Sequence, residues 1–208
     1  MKPFVVLSII FSLLIAVNAL GTDWSYICTD CCDGEVVVIE PLSFTYYIYP
    51  DRDYDDLANK TRRTVSDMEV LIDHVLSLHP DSKFRGEAQS FIMASNETGL
   101  DPIFFFALAG IESAWGTNQT HIDLNNPYSI HMFGDGVNHG YELGSTFGEG
   151  IVNGATFIYK EYYKAGQTTL YLMNHDKSGN RHNYCAGDSS WEYQIGSEMA
   201  YLESLLEE

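Results

Sequence analysis

The chain has 208 residues, of which 45% are hydrophobic and 13% aromatic. This composition supports a packed core and excludes a disordered chain. The 11 Lys and Arg residues against 29 Asp and Glu residues give a formal net charge of −18. Because such a surface repels phosphate groups, neither nucleic acid nor an anionic membrane surface is an expected partner.

The first residues have the pattern of a secretory signal peptide. Lys2 precedes an apolar run from 4 to 17, and the Val-Asn-Ala sequence at 17–19 has the small-residue spacing of a signal-peptidase site. The run is too short to span a bilayer, and the sequence contains no second apolar stretch of spanning length. We therefore expect cleavage after Ala19 and a protein that is secreted or released into a vesicle lumen, without membrane association once the signal segment 1–19 is removed.

Four cysteines follow the signal segment: Cys28, Cys31, Cys32 and Cys185. An even number of cysteines in an oxidising compartment predicts two disulfides, and three pairings are open. A zinc site at Cys28, Cys31 and Cys32 is less favoured, because no pair of Cys or His residues has finger-like spacing nearby. We expect one of the three N-terminal cysteines to pair with Cys185 and so to join the N-terminal part to the main domain.

Residues 20–80 are predicted to form a Cys-containing leader of unknown fold. β-branched and aromatic runs at 36–39 and 44–49 indicate two short strands, which Pro41 separates. The acidic run at 51–56 lacks the central glycine and the terminal glutamate of an EF-hand loop, so we interpret it as a solvated turn.

Helical periodicity dominates the sequence from Thr64 onward. The apolar pattern predicts helices at about 64–79, 85–97, 102–114, 147–165, 167–174 and 190–206. Asp101 and Pro102 supply an N-cap and a first-turn proline for the third helix, and Gly116 is placed to end it. That helix is apolar on almost every side and is therefore predicted to be buried. Residues 117–145 are rich in Gly, Asn, Asp and His, which predicts loops or a small hairpin lobe.

One charged residue, Glu112, interrupts the predicted buried helix in its last turn. Apolar neighbours, the negative end of the helix dipole and the lack of a Lys or Arg nearby in sequence would each raise the pKa of its carboxyl group. A carboxyl group that stays protonated near neutral pH can act as a general acid toward a glycosidic oxygen. The alternative is a glutamate at the helix edge that points into solvent, and the residue pattern by itself leaves both interpretations open.

Short motifs in a fixed order resemble the glucosaminidases of glycoside hydrolase family 73 (mannosyl-glycoprotein endo-β-N-acetylglucosaminidase-like), members of the lysozyme-like superfamily. These motifs are Asp-Pro-Ile-Phe at 101–104, Ala-Gly-Ile-Glu-Ser-Ala-Trp-Gly at 109–116, Asn-Pro-Tyr-Ser-Ile at 126–130, Phe-Gly-Glu-Gly-Ile at 147–151, Tyr-Tyr-Lys-Ala-Gly at 162–166, and Trp191 at the start of the last helix. The third is similar to the family's Asn-Pro-Phe-Gly-Ile turn. Together the motifs cover about 85–206.

The resemblance implies a fold and an activity. The expected fold is a mainly α (α+β), lysozyme-like helical domain with a small β lobe flanking a groove, which we assign to 81–208. The expected activity is an endo-β-N-acetylglucosaminidase or lysozyme-like glycosidase that cleaves β-1,4 bonds of N-acetylglucosamine-containing glycans, with bacterial peptidoglycan as the typical substrate. Chitin and N-glycans carry the same sugar and stay open as substrates. We expect a monomer.

By the same resemblance, Glu112 takes the position of the catalytic acid. The family often places a second glutamate in the β lobe, and Glu142 is the nearest candidate by spacing. Asp123, Asp135 and Glu149 are alternatives, although each also fits an ordinary loop or helix-start acid.

Three aromatic residues are candidates for substrate binding, because aromatic faces stack on pyranose rings. The resemblance favours a position in the substrate groove for Tyr128. It does not decide whether Trp115 lies in the groove or in the core. Tyr184 lies in the loop before Trp191, where family members carry a Tyr near the active site.

Metal binding and glycosylation can also be assessed from the sequence. The histidines His121, His131, His139, His175 and His182 have no ligand partner at helical i, i+4 spacing, and the family needs no metal, so we expect neither a metal nor another cofactor. Asn59, Asn96 and Asn118 lie in N-glycosylation sequons, which are meaningful in a eukaryotic source. Of these, Asn59 and Asn96 are expected to be modified more readily than Asn118.

Two classes of function are therefore open: an enzyme that cuts glycans and a catalytically inactive lysozyme-like protein that binds them. Within the enzyme class, a lytic transglycosylase acting on the same substrate is the alternative to a hydrolase, because its chemistry needs one acid and no separate nucleophile.

Overall fold

A computed structural model of the chain describes residues 27–29, 36–38, 56–58, 62–132, 140–175, 183–185 and 190–207. The chain divides into two compact units, 1–51 and 52–208. In the first unit, strands β1 (Ile27–Thr29) and β2 (Val36–Val38) pair antiparallel. The strand predicted at 36–39 is thus confirmed. The strand predicted at 44–49 and the signal segment lie outside the described residues.

The described parts of the second unit are mainly helical. Its α-helices are α1 (Val65–Leu78), α2 (Ala88–Thr98), α3 (Pro102–Ser113), α4 (Gln119–Asp123), α5 (Phe147–Glu161), α6 (Leu170–Asn174) and α7 (Trp191–Ser204). A short 3-10 helix, Tyr163–Ala165, follows α5. Within 117–132 and 140–145 the chain forms α4 and turns and contains no strand, so the hairpin lobe predicted at 117–145 is not seen in its described part.

Helix α1 belongs to the same compact unit as the helices that follow it. Thr64 and Asp67 form a capping box, in which Thr64 Oγ1 accepts from the Asp67 amide and the Asp67 carboxylate accepts from the Thr64 amide. The buried stripe of α1, which faces α2, consists of Met68, Leu71, Ile72 and Val75. Helix α1 thus lies before residue 81, where the sequence predicts that the helical domain begins. That domain boundary stays a prediction.

Helix α3 is the buried centre of the unit and positions the candidate site. Asp101 caps it by accepting from the Ile103 amide at 2.8 Å, and Pro102 occupies its first turn, as predicted. Residues 102–110 are all buried, and α3 packs against α2 and α7. The burial predicted for this helix is therefore confirmed.

The end of α3 differs from the prediction. Ala114, not Gly116, is the left-handed C-cap with φ 51°, and Trp115 and Gly116 follow with φ 57° and 70°. Consecutive left-handed residues fold the Trp115 ring back over Gly110, where an added Cβ would lie 2.5 Å from that ring. The bare Cα of Gly110 therefore permits the turn that follows Glu112.

The core of the unit is aromatic. Phe84, Phe91 and Phe106 meet with ring centroids 5.0 to 5.6 Å apart in edge-on and tilted arrangements, and all three rings are fully buried. In the described part of the chain, the helices are too short or too polar to cross a membrane.

Candidate active site

The Glu112 carboxyl group lies where three separate segments of the chain meet. Glu112 is in the last turn of α3, and its Oε1 accepts a 3.0 Å hydrogen bond from the indole Nε1 of Trp191, the first residue of α7. The Ser129 hydroxyl, from the turn after α4, lies close enough to the same carboxyl group to stabilise its charged form. The sequence-based alternative, a glutamate at the helix edge that points into solvent, is therefore wrong.

Burial raises the pKa of Glu112, while the Trp191 indole and the Ser129 hydroxyl oppose this shift by stabilising the carboxylate. Burial is the larger effect, so the direction of the shift agrees with the prediction from the sequence. A carboxyl group with a raised pKa and a fixed indole donor can release a proton and remain stabilised afterwards, which is what general acid catalysis requires.

Tyr184 lies beside this carboxyl group. Its ring stacks on Trp191 with centroids 5.0 Å apart and tilts against Tyr162 at 5.2 Å. Its hydroxyl donates to the Tyr128 carbonyl oxygen at 2.6 Å. Burial, followed by the negative charge of Glu112, raises the pKa of Tyr184. The structure thus brings Tyr184 next to Glu112, and its role in sugar binding stays a prediction.

Tyr128 does not occupy the position predicted for it. Its side chain is 0% exposed, its ring packs against Phe105, and a Cβ added to Gly154 would lie 2.4 Å from that ring. A fully buried ring has no face to offer a sugar, so the predicted stacking role is wrong in this conformation. The Asn-Pro-Tyr-Ser-Ile motif at 126–130 thus contributes the Tyr128 carbonyl oxygen to the site, where it accepts from the Tyr184 hydroxyl, and not the Tyr128 ring.

Trp115 packs as part of the protein interior. Its half-buried ring lies 5.6 Å from Phe106 and 6.4 Å from Phe84, and it stacks with His79 at 6.5 Å. These contacts support a structural role, and contact with substrate stays a prediction.

The candidate second carboxylate, Glu142, is exposed. The backbone on either side of it is fixed, because Asn126 Nδ2 donates to the Tyr141 carbonyl oxygen at 3.1 Å and the Leu143 amide donates to Leu124. Within the part of the chain that the structure describes, the Glu142 side chain forms no hydrogen bond, and its catalytic role stays a prediction.

The alternatives to Glu142 have structural contacts or lie outside the described residues. Glu149 accepts from the amide and the hydroxyl of Ser145 at 2.8 and 2.6 Å, which lowers its pKa and stabilises the start of α5. Asp123 accepts from Gln119 Nε2 at 2.7 Å. Asp135 is outside the described residues. Among the described residues, therefore, no carboxylate is seen to form a hydrogen bond with Glu112.

Two site residues were not anticipated from the sequence. His121 Nε2 lies 2.8 Å from Ser129 Oγ, and burial lowers the pKa of the His121 imidazole. The sequence pattern suggests no role for His121 other than that of a candidate metal ligand. Among the described residues, no group of three or more His, Cys, Asp and Glu side chains is placed to hold a metal. The one indication in the sequence is Ser129 itself, because the family's Asn-Pro-Phe-Gly-Ile turn has glycine at that position.

The predicted disulfides are not tested by the described residues. Cys185 is half-buried next to Tyr184. Nothing is described for the side chains of Cys28, Cys31 and Cys32. The pairing of these cysteines therefore stays a prediction.

Comparison with known proteins identifies relatives of the chain in sequence and in fold. No protein-family model matches the chain. Over 126 residues the chain is 28% identical to the bifunctional autolysin of Staphylococcus epidermidis, an alignment that covers 50% of this chain and 9% of that protein. The chain thus spans about a tenth of the length of the curated relatives that it matches.

The fold is similar to that of autolysin E from Staphylococcus aureus. A catalytic mutant of that protein in complex with the disaccharide NAG-NAM superimposes with a TM-score of 0.64 at 18% identity, covering 93% of this chain and 91% of that chain. A complex of autolysin E with the muropeptide NAM-L-Ala-D-iGlu gives 0.63 at 17% identity, covering 93% and 90%. The mainly helical fold is therefore confirmed as one shared with autolysin E, and the resemblance to family 73 glucosaminidases stays a prediction.

Proposed function

We propose that this protein is a glycoside hydrolase that cleaves β-1,4 bonds of N-acetylglucosamine-containing glycans, with bacterial peptidoglycan as its substrate and Glu112 as its general acid. The observation that carries the proposal is the Glu112 carboxyl group, which is largely withdrawn from water at the end of α3 and held by the Trp191 indole. Burial raises its pKa, so the group is protonated at a higher pH than an exposed glutamate.

The relatives support the choice of substrate. The S. aureus structures contain the disaccharide NAG-NAM and a muropeptide, which are fragments of peptidoglycan, and the S. epidermidis relative is an autolysin. The disaccharide complex was made with a catalytic mutant in which a glutamate is replaced by alanine. A catalytic glutamate in a protein of the same fold supports the role that we assign to Glu112.

The proposed reaction begins with proton transfer from Glu112 to the glycosidic oxygen as the bond between that oxygen and C1 breaks. The resulting Glu112 carboxylate keeps its hydrogen bond from Trp191, and the nearby Ser129 hydroxyl also stabilises its charge. A water molecule then adds to C1, and its proton restores the neutral acid. Glu142 is the proposed partner that activates this water or stabilises the positive charge developing at C1.

A lytic transglycosylase is the second candidate, and one observation favours it. Among the described residues, the Trp191 indole donates to Glu112 and the Ser129 hydroxyl stabilises its charged form, and no second carboxylate bonds to it. In that reaction the sugar's own C6 hydroxyl attacks C1 after Glu112 has protonated the leaving oxygen, and the proton of that hydroxyl returns to the Glu112 carboxylate. The product then carries a 1,6-anhydro end instead of a reducing end.

The test is loss of turbidity of a peptidoglycan suspension, with mass spectrometry of the released ends. A reducing N-acetylglucosamine end supports the hydrolase, and a 1,6-anhydro end supports the transglycosylase. Chitin and an N-glycosylated protein serve as alternative substrates. Sedimentation with peptidoglycan without release of fragments would instead support the glycan-binding protein.

Secretion and processing are part of the proposal. We propose that the mature protein begins after Ala19, is monomeric, and contains a disulfide between Cys185 and one of the N-terminal cysteines.

Asn96 and Asn118 are both exposed, but Asn118 Oδ1 caps α4 by accepting from the Thr120 amide at 3.0 Å, which supports preferred glycosylation of Asn96. Asn59 lies outside the described residues. N-terminal sequencing, non-reducing peptide mapping and glycopeptide mapping test these statements.

A further inference from the structure

Two exposed aromatic side chains lie against each other on the surface of the second unit. The centroids of the His131 and Tyr141 rings are 4.3 Å apart, and Tyr141 is 52% exposed. Phe157, a half-buried residue of α5, contacts the His131 ring edge-on at 5.6 Å and packs against the core. We call the His131 and Tyr141 rings the aromatic platform. Neither ring takes part in the contacts described around Glu112.

One buried side chain holds the backbone beneath both rings of the platform. The Asn126 side-chain amide donates to the Ile130 carbonyl oxygen at 2.9 Å and to the Tyr141 carbonyl oxygen at 3.1 Å. Its Oδ1 accepts from the Ile130 amide at 3.0 Å, and Asn126 is 0% exposed. Because the same amide group fixes the segments that carry His131 and Tyr141, the platform is preorganised for a ligand.

His131 adopts a strained backbone conformation at this position. Its φ is 54°, in the left-handed region that favours glycine. Strain of this kind persists where the surrounding structure enforces it, and it is concentrated at functional sites. A glycine would relieve the strain here but would leave the Tyr141 ring without the imidazole beside it. The chain thus keeps an aromatic side chain where none would be easier to accommodate.

The platform is continuous with the candidate active site through the turn at 126–130. The Tyr128 carbonyl oxygen accepts from the Tyr184 hydroxyl at 2.6 Å, and the Tyr184 ring stacks on the indole that donates to Glu112. His131 follows Tyr128 by three residues, which limits the distance between their Cα atoms to about 11 Å. A ligand that reaches Glu112 and extends over this turn therefore meets the platform.

The exposed rings suit a sugar as their ligand. The face of an aromatic ring stacks on the apolar C–H face of a pyranose, and the tyrosine hydroxyl and imidazole nitrogens can bond to sugar hydroxyls. Two rings expose far less area than the about 800 Å² that each partner buries in a stable protein interface. They are, however, large enough to cover one sugar ring. Tyr141 also directly precedes Glu142, the proposed second carboxylate.

We propose that the aromatic platform of His131 and Tyr141 is a substrate-binding subsite, on which one pyranose ring of the bound glycan stacks. This inference rests on the function proposed above and adds a binding site for its substrate. No bond forms or breaks at the platform. Because stacking holds the sugar equally well before and during the reaction, the platform lowers KM and leaves kcat unchanged.

The most direct experiment measures binding without turnover. The probe is the peptidoglycan tetrasaccharide with two NAG-NAM repeats, titrated by calorimetry into Glu112→Gln protein. Adding Tyr141→Ala is expected to raise Kd about five- to tenfold, the effect of losing one stacked ring. Tyr141→Phe retains the ring and should keep the Kd of the parent. His131→Gly relieves strain and removes only the neighbouring ring, so a smaller increase in Kd is expected.

A matched control is available on α6. Tyr171 is 46% exposed and its ring packs on a histidine, His175, at 4.6 Å, so Tyr171→Ala removes a similar ring elsewhere. An unchanged Kd in Tyr141→Ala, or an equal increase in Tyr171→Ala, would overturn the proposal. A dimer of the protein that Tyr141→Ala dissociates would do so too, because the platform would then bind a second copy of the chain. Unchanged thermal transitions verify that the variants are folded.

NMR distinguishes contact from a merely structural role of the rings. Nuclear Overhauser effects between the Tyr141 ring protons and the sugar ring protons are expected in the complex of Glu112→Gln with the tetrasaccharide. Their absence in a saturated complex would contradict stacking, even if Tyr141→Ala weakens binding.

Kinetics separate this inference from the proposed function. In the active protein, Tyr141→Ala is expected to raise KM about five- to tenfold with kcat little changed, the pattern of lost uniform binding. A wild-type protein that binds the tetrasaccharide without cleaving peptidoglycan would contradict the proposed hydrolase, whereas the Kd values would still decide whether the platform binds the sugar. A protein that does not bind the tetrasaccharide would overturn the platform.

Discussion

The indole Nε1 of Trp191 donates to Oε1 of Glu112 at 3.0 Å, across 79 positions of the chain. The bond joins the start of α7 to the end of α3, two helices that pack against each other. The next residue, Glu192, accepts from Asn174 Nδ2 and bonds to His175 Nε2, both at 2.7 Å, which fixes the first turn of α7 against the end of α6. The orientation of the candidate acid is therefore set by helix packing and not by its local sequence.

Replacing Trp191 with Phe tests the role of this bond. The substitution retains an aromatic ring to stack on Tyr184 but removes the donor to Glu112. With one fewer donor to its carboxylate, the pKa of Glu112 rises, so the alkaline limb of the activity profile moves to higher pH and kcat falls about tenfold. Tyr193→Phe, at a residue of the same helix with 71% exposure, is the control. Equal pH profiles for wild type and Trp191→Phe would show that the indole has no influence on the acid.

The Tyr128 hydroxyl is buried and has no hydrogen-bond partner among the described residues. An unpaired buried hydroxyl destabilises the folded state, so Tyr128→Phe is expected to leave the free energy of unfolding unchanged or to raise it by up to about 1 kcal/mol. KM should not change, because the ring does not reach solvent. Urea denaturation and steady-state kinetics check both, and a large increase in KM would instead support contact between the Tyr128 ring and the substrate.

Gly110 and Trp115 form a tight contact that shapes the turn after Glu112. In Gly110→Ala, the new Cβ would lie 2.5 to 2.7 Å from the Trp115 ring, so either the ring or the helix must move. We expect a loss of about 1–3 kcal/mol in the free energy of unfolding, as for other overpacked cores. Thermal denaturation measures this, with Gly110→Ala in a Trp115→Leu background as the control. A loss of the same size in that background would exclude the ring contact as the cause.

Asp101 makes the stability of the protein depend on pH. Burial raises its pKa from 3.8 to about 6, so the ionised form destabilises the folded state as pH rises through this range. Asp101→Asn keeps an oxygen to cap Ile103 but carries no charge, so it is expected to stabilise the protein by about 1–3 kcal/mol at pH 8. At pH 4 and below, the gain should disappear. Denaturation curves at both pH values check this, and a gain that does not vary with pH would rule out ionisation as its source.

The local features of the fold were predictable, and the contacts between distant segments were not. The Asp101 cap, Pro102 and the apolar run of α3 act over a few neighbouring residues, so the sequence predicts that helix and its burial. The end of the helix was predicted wrongly, because the left-handed cap at Ala114 depends on the Trp115 ring docking on Gly110. A preference for glycine at such positions is overridden when tertiary packing enforces the conformation.

The same distinction applies to the site. The raised pKa of Glu112 follows from its apolar neighbours on α3, which the sequence displays. Its partner Trp191 and the nearby Ser129 come from other segments, and the composition of those segments does not reveal that they lie close to Glu112. The motif around Tyr128 resembles that of the family, but a resemblance in sequence does not say whether a ring faces the core or the substrate.

The measurement that tests the central claim most directly is the rate of peptidoglycan cleavage by Glu112→Gln compared with the wild type. The amide keeps the shape of the side chain and can still accept from Trp191, but it has no proton to give, so a loss of about a hundredfold or more in kcat is predicted. Folding is verified by an unchanged thermal transition, and Glu69→Gln, at an exposed glutamate on α1, is the control. A Glu112→Gln variant that cleaves peptidoglycan at the wild-type rate would contradict the account.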